Sequence, residues 1–248
     1  MTSELDAEIS TLKGVLANAR PLDARALDDL NRHYDVLITY TSNAIEGSTL
    51  THGETATILE KGITIGGKSL RDHLAATDHY EAIQWARQIA SADTPIDETV
   101  IRELHRRIVM RSDPSIGGQY SQAPRRAVGS QTVYPNPVKI PAMMTELAAV
   151  LKASAPTVDT ALAAHLGVAS IHPFQDGNGR AARLVMNMVL MRAGYPPVSI
   201  GPEMRPQYIG ALEAHQTGAD TSVYPRFMKQ QVLATLKDYA AVVAPGEM

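Results

Sequence analysis

Leu27, Leu30, Tyr34 and Leu37 recur every three or four positions, the repeat that lines one face of a helix. They predict an amphipathic helix over about Asp23–Thr41. Polar residues and Gly47 break this pattern between Asn43 and Thr51. A short helix from Thr51 to Lys61 is expected next, stopped at Gly62, which tolerates the left-handed backbone of a helix end. Ser69 is placed to cap a longer helix carrying Leu74, Tyr80, Ile83, Trp85 and Ile89. Another, Asp97–Met110, aligns Ile101, Leu104 and Ile108. Further helices are predicted from Pro141 to about Ser154, Val158–Ile171, Gly179–Arg192, Arg205–Gln216 and Ser222–Val242.

The character changes between Ser112 and Pro141. Gly117, Gly118, Pro124, Gly129, Pro135 and Pro137 punctuate this stretch too heavily for a helix. Gln119–Arg126 and Gln131–Tyr134 read as two short strands joined near Gly129, a β-hairpin flap. The expected fold class is all-α with this one short hairpin. No internal repeat, low-complexity tract or linker interrupts the chain.

Composition excludes more than it selects. The 248 residues are 44% hydrophobic, with net charge −3 and a pI near 6.2, so no global basic field invites nucleic acid or an anionic membrane. Short basic pairs such as Arg106-Arg107 and Arg125-Arg126 read as solvated faces. The absence of cysteine removes disulfides, thiolate nucleophiles and cysteine-type zinc sites. The polar, acidic N-terminus is unlike a signal peptide, and no apolar run has the length of a membrane span. The expectation is a cytoplasmic protein.

Chemistry concentrates in one run, Ile171-His172-Pro173-Phe174-Gln175-Asp176-Gly177-Asn178-Gly179-Arg180-Ala181-Ala182-Arg183. It reads as a helix end, a tight polar loop and a new helix start. Pro173 blocks continuation of the first helix beyond His172. Gly177 and Gly179 let backbone N–H groups approach a ligand, and the new helix turns its positive dipole end to the same spot. Arg180 and Arg183 share a face one turn in, where guanidinium forks suit phosphate oxygens. Asp176 is the hard carboxylate type that holds Mg²⁺ against phosphates, and His172 is a candidate general base. Singly, each element is more often a helix end, a turn or a solvated face; together they describe phosphoryl or nucleotidyl transfer.

The run resembles the Fic signature, His-Pro-Phe-x-Asp/Glu-Gly-Asn-Gly/Lys-Arg-x-x-Arg, and His172 to Arg183 matches every specified position. The resemblance implies a helical domain with a β-hairpin flap and the transfer of AMP from ATP to a protein hydroxyl. His172 would deprotonate a target Ser, Thr or Tyr, Asp176 would hold Mg²⁺, and backbone donors at Gly177, Asn178 and Gly179 would stabilise the transferring group. Arg180 and Arg183 would bind the β/γ end. The target protein would dock on the flap, Gln119–Tyr134, by strand addition. A homodimer is one assembly the resemblance allows, and relatives of this kind also move UMP, phosphocholine or phosphate.

Ser42-Asn43-Ala44-Ile45-Glu46-Gly47 is similar to the inhibitory motif Ser/Thr-x-x-x-Glu-Gly/Asn of many Fic proteins. In that subclass the glutamate pairs with the second signature arginine, here Arg183. The plain alternative is an i, i+4 pair at a helix end. The chain then divides into an N-terminal helical segment, 1–60, carrying this motif, and a core with C-terminal helices, 61–248, expected to form one unit. Glu46 also supports a competing activity, a phosphodiesterase that removes AMP from a modified protein. A nucleotide-binding regulatory module is a third reading, disfavoured by an intact His172.

Two patterns are decoys. Gly62-Ile-Thr-Ile-Gly-Gly67-Lys68-Ser69 fits a P-loop string, but helix precedes it and no strand–helix alternation follows, so it reads as a turn plus a cap. His165 and His172 lie two helical turns apart without a third ligand, so His165 reads as a packed core residue. Tyr208 and its neighbours are placed as a border for the adenine.

Overall fold

The protein is described by a computed structural model over residues 2–19, 24–92, 94–126 and 132–244. Side chains at helix ends explain most boundaries. Thr51 accepts from Glu54 N–H while the Glu54 carboxylate accepts from Thr51 N–H, and this reciprocal cap starts a helix at His52. Gly62 ends it with φ 65°, and Ser69 accepts from Asp72 N–H to start the next. The Gly62–Ser69 stretch is therefore a turn between helices, and Lys68 uses its charge on the Thr49 carbonyl and, at 3.2 Å, on Glu54.

In chain order the helices are α1 (Thr2–Asn18), α2 (Ala24–Ile45), α3 (His52–Lys61), α4 (Leu70–Ser91), α5 (Glu98–Ile108), α6 (Ile140–Ala153), α7 (Val158–Ile171), α8 (Asn178–Arg192), α9 (Arg205–Gln216) and α10 (Val223–Val243). The centre is α8. Ala181, Ala182, Leu184, Val185, Met186, Met188 and Leu190 are all buried, so the helix is apolar around most of its circumference. Each large side chain of this set contributes about 1.5–3 kcal/mol by leaving water. α7 packs along α8, with α4 and α5 against its other sides. Asn187, fully buried in α8, exchanges two hydrogen bonds with the Val198 backbone (2.8 and 3.0 Å) and pins the returning chain. No described helix is long and apolar enough to cross a membrane.

Three expectations change. Helix α1 falls in the segment expected to be helical but was given no bounds, although Leu5, Ile9, Leu12 and Leu16 carry a helical repeat; Ile9 and Leu16 are buried, and α1 packs on α10. Helix α2 runs past Thr41 to Ile45, so Ser42 lies in its last turn and Glu46 just beyond it. The hairpin flap is not seen. Among the described residues of Gln119–Tyr134 there are only two isolated bridges, Tyr120 with Phe174 and Arg126 with Val133. The physical reason is that Tyr120 and Ser121 pair with the signature loop instead, Ser121 N–H donating to the Pro173 carbonyl at 2.8 Å. The proposed turn at Gly129 lies outside the described residues.

Candidate functional site

The loop from His172 to Gly177 is built from beneath. His172 ends α7 in the left-handed region (φ 51°, ψ 54°), the one described non-glycine residue with positive φ. Such a backbone costs of order 1 kcal/mol for a residue with a Cβ, so the surroundings must enforce it. They do. Phe174 is fully buried and stacks on His105 with centroids 3.7 Å apart. Asn178 accepts from Phe174 N–H and donates to its carbonyl, both at 2.8 Å. His105 Nδ1 accepts from Gly118 N–H at 3.0 Å, which leaves Nε2–H to donate to the Asp176 carbonyl at 2.8 Å. Burial pushes the His105 imidazole down to about 4, so it holds this neutral form at physiological pH.

Helix α8 starts at the far end of this loop after Gly177, whose φ of 77° suits glycine. Gly177 N–H is taken by Asp176 Oδ1 at 2.7 Å. The first-turn N–H groups of α8 have no acceptor within the helix. The backbone at Gly179 is approached so closely that an added Cβ would stand 2.2 Å from Glu46 Oε1. A carboxylate thus sits against the positive end of a buried helix.

That carboxylate is held by Arg183. The guanidinium is 4% exposed and donates from Nε to Ser42 Oγ (2.9 Å), and from Nη2 to the Ser42 carbonyl (3.0 Å) and Glu46 Oε1 (2.7 Å). Burial, the largest single influence, weakens its hold on the proton, but the contributions of Glu46 and Tyr208 together outweigh it and raise the guanidinium above the ordinary arginine value. Arg205 Nε donates to the Ile45 carbonyl at 2.7 Å, fixing the end of α2 and with it Glu46. Arg180 is also buried, yet its Nε has no partner and its one ion-pair contact, to Asp176 Oδ2, is 4.0 Å long. Burial dominates there and lowers its proton affinity.

Glu46, His172, Gly179, Arg183, Arg205 and Tyr208 share a cavity of about 460 Å³. His172 is covered by Tyr134, ring on ring at 3.9 Å. Burial is the main cause that brings its imidazole down to about 4; a hydrogen bond to the Ala169 backbone opposes this, and Arg125 reinforces it. His172 is therefore neutral at physiological pH, which leaves a lone pair on one ring nitrogen. A larger groove of about 780 Å³ between α2, α3 and α4 contains none of the sequence-predicted site residues.

The predicted residues do not all meet in the cavity. Asp176 does not line it; its side chain is half-exposed, with Oδ2 on Arg71 at 2.7 Å. The Asn178 side chain is spent inside the loop. Sequence reasoning missed Arg71, His105, Tyr134 and Arg205, because each reaches the site across a distance that no local repeat encodes. Among the described residues no cluster of three or more acidic or histidine side chains suits a metal ion. A single half-exposed carboxylate beside an anion-binding helix end fits a divalent cation shared with phosphates, not a protein cage.

Residues 95–190 match the Fic/DOC family model. Protein adenylyltransferase fic-1 of Caenorhabditis elegans is 33% identical over 86% of this chain and 43% of its own length. Protein adenylyltransferase Fic of Drosophila melanogaster is 36% identical over 81% of this chain and 41% of its own. The chain thus spans less than half the length of these curated relatives. A solved fragment of Fic-1 from C. elegans superposes with a TM-score of 0.87 at 27% identity, covering 99% of this chain and 74% of that one. A Fic-domain signaling protein from Bacteroides thetaiotaomicron gives 0.84 at 29%, covering 97% and 99%. With its full signature loop spanning α7 and α8, this chain belongs to the Fic/DOC family.

Proposed function

We propose that this protein transfers AMP from ATP to a Ser, Thr or Tyr hydroxyl of a target protein, and that Glu46 restrains the reaction. The observation that carries the reading is the pairing of a neutral, partly buried His172 with the N-terminal end of α8 in one cavity. The free ring nitrogen of His172 takes the proton of the target hydroxyl. The hydroxyl oxygen bonds to the α-phosphorus as the bond to the β-phosphate bridging oxygen breaks, and pyrophosphate leaves. Arg180 and Arg183 hold the β/γ end, and the first-turn N–H groups of α8 at Asn178 and Gly179 hold the transferring group. Asp176, released from Arg71, would hold Mg²⁺, which when bound neutralises phosphate charge. The target segment docks on Gln119–Tyr134, beside His172 and Tyr134.

Glu46 restrains this chemistry by occupying the place of a phosphate. Its carboxylate satisfies Arg183 and lies against Gly179, so a terminal phosphate meets like charge and an already engaged arginine. ATP then binds with its α-phosphate out of line for attack. The same carboxylate, sharing the cavity with His172, supports a second reading in which it orients water to remove AMP from a modified protein.

The test compares wild type, Glu46→Gly and Glu46→Gly/His172→Ala, each with α-labelled ATP, Mg²⁺ and a cell lysate. Label should pass to protein with Glu46→Gly alone. Absence of label with all three, with ATP still bound, would remove the transfer reading. If Glu46→Gly instead abolishes release of AMP from modified protein, the hydrolytic reading stands.

A further inference from the structure

One side chain, Gln216 at the end of α9, ties the irregular middle of the chain to α7. Thr132 donates its hydroxyl proton to Gln216 Oε1 at 3.1 Å, and Gln216 Nε2 donates to Ser170 Oγ, also at 3.1 Å. Ser170 lies in the last turn of α7, and Thr132 is buried. The two ends of this link sit at matched offsets. Thr132 precedes Tyr134 by two residues, and Ser170 precedes His172 by two. The rings of Tyr134 and His172 in turn lie face to face, 3.9 Å apart and 19° from parallel. Thr132, Tyr134, His172 and Gln216 all line the same cavity. Val133, between the tied residue and the stacked one, bridges to Arg126, so the link also reaches the other leg of the stretch.

The stacked tyrosine shields one face of the imidazole. The lone pair of a neutral imidazole lies in the plane of its ring, so a hydroxyl arriving at the edge still reaches it. A ring held at this distance therefore keeps water off the base without blocking it. An aromatic pair is by itself a weak contact, and Tyr134 lies in a stretch with no helix to hold it. We propose that Thr132 and Gln216 are positioning residues for Tyr134, clamping its ring over His172 through Ser170 so that the base stays shielded while the target hydroxyl approaches. The proposal rests on the nucleotide-transfer reading for the role of His172 as base, but not for the link or the stack.

The test removes one hydroxyl with little change of shape. A stacked tyrosine moves the ring-proton resonances of His172 upfield, and Tyr134→Ala marks the complete loss of that displacement. At neutral pH and without nucleotide, Thr132→Val should lose at least half of it, and so should Gln216→Met. Thr132→Ser, which keeps the hydroxyl, should retain it. Resonances that stay in place with Tyr134→Ala, Thr132→Val or Gln216→Met would overturn the proposal, as would an equal loss with Thr132→Ser. A second measurement reads the reaction. In the Glu46→Gly background, Thr132→Val should lower kcat for AMP transfer by roughly three- to tenfold, the worth of one neutral hydrogen bond, and an unchanged kcat would overturn the positioning role. If the Glu46→Gly parent transfers no AMP, the transfer reading falls while the resonances still decide the link.

Discussion

His172 has its proton affinity set by burial more than by any partner. A free imidazole titrates near 6.5, whereas this one is brought down to about 4. The sign for catalysis follows directly, since a general base works in its deprotonated form. Activity of the Glu46→Gly variant should therefore hold level as pH falls through 6.5 and decline only toward the lower value. Loss of Glu46 removes one charge that raised the pKa, so the variant's acid limb lies no higher. A pH profile of kcat/KM checks this, and an acid limb centred near 6.5 would show that His172 is solvated in the working enzyme. At this scale the sequence revealed His172 and Arg183 by motif. It did not reveal Tyr134 or Arg125, whose effects on His172 depend on where the irregular middle of the chain folds back.

Among the elements, the α7–α8 connection is the part whose shape the chemistry needs. Its rigidity comes from side chains that never touch the cavity: the His105–Phe174 stack and the Asn178 amide. Asn178→Ala removes two buried 2.8 Å hydrogen bonds and leaves the Phe174 backbone groups unpaired, at a cost of about 1–3 kcal/mol each. The variant should melt lower, and transfer in the Glu46→Gly background should fall although the Asn178 side chain faces away from the nucleotide. Unchanged melting would show that the loop holds its shape without that amide. Most helices were legible because apolar spacing and caps agree, as at Thr51, Gly62 and Ser69. The flap was not, because Tyr120 and Ser121 found partners in the signature loop rather than across a hairpin. Strand signals specify an extended backbone and leave its partner open.

Across the whole molecule, the proposed restraint is a contact between distant parts of the chain. Glu46 and Arg183 meet because α2 ends against the start of α8, and Arg205 from α9 fixes that end through the Ile45 carbonyl. Periodicity placed α2 and α8 but could not dock one on the other; the pairing was expected only from a resemblance between motifs. The hydrophobic core runs without a break from Ile9 in α1 to Ala240 in α10, so these elements are braced as one body. The central claim is that the Glu46 carboxylate stands where a terminal phosphate belongs. The most direct measurement is a crystal structure of the Glu46→Gly variant with a non-hydrolysable ATP analogue. The terminal phosphate should lie against Gly179 and within hydrogen-bond distance of Arg183, with the α-phosphate facing His172. A phosphate chain lying clear of Arg183 and Gly179 would contradict the account.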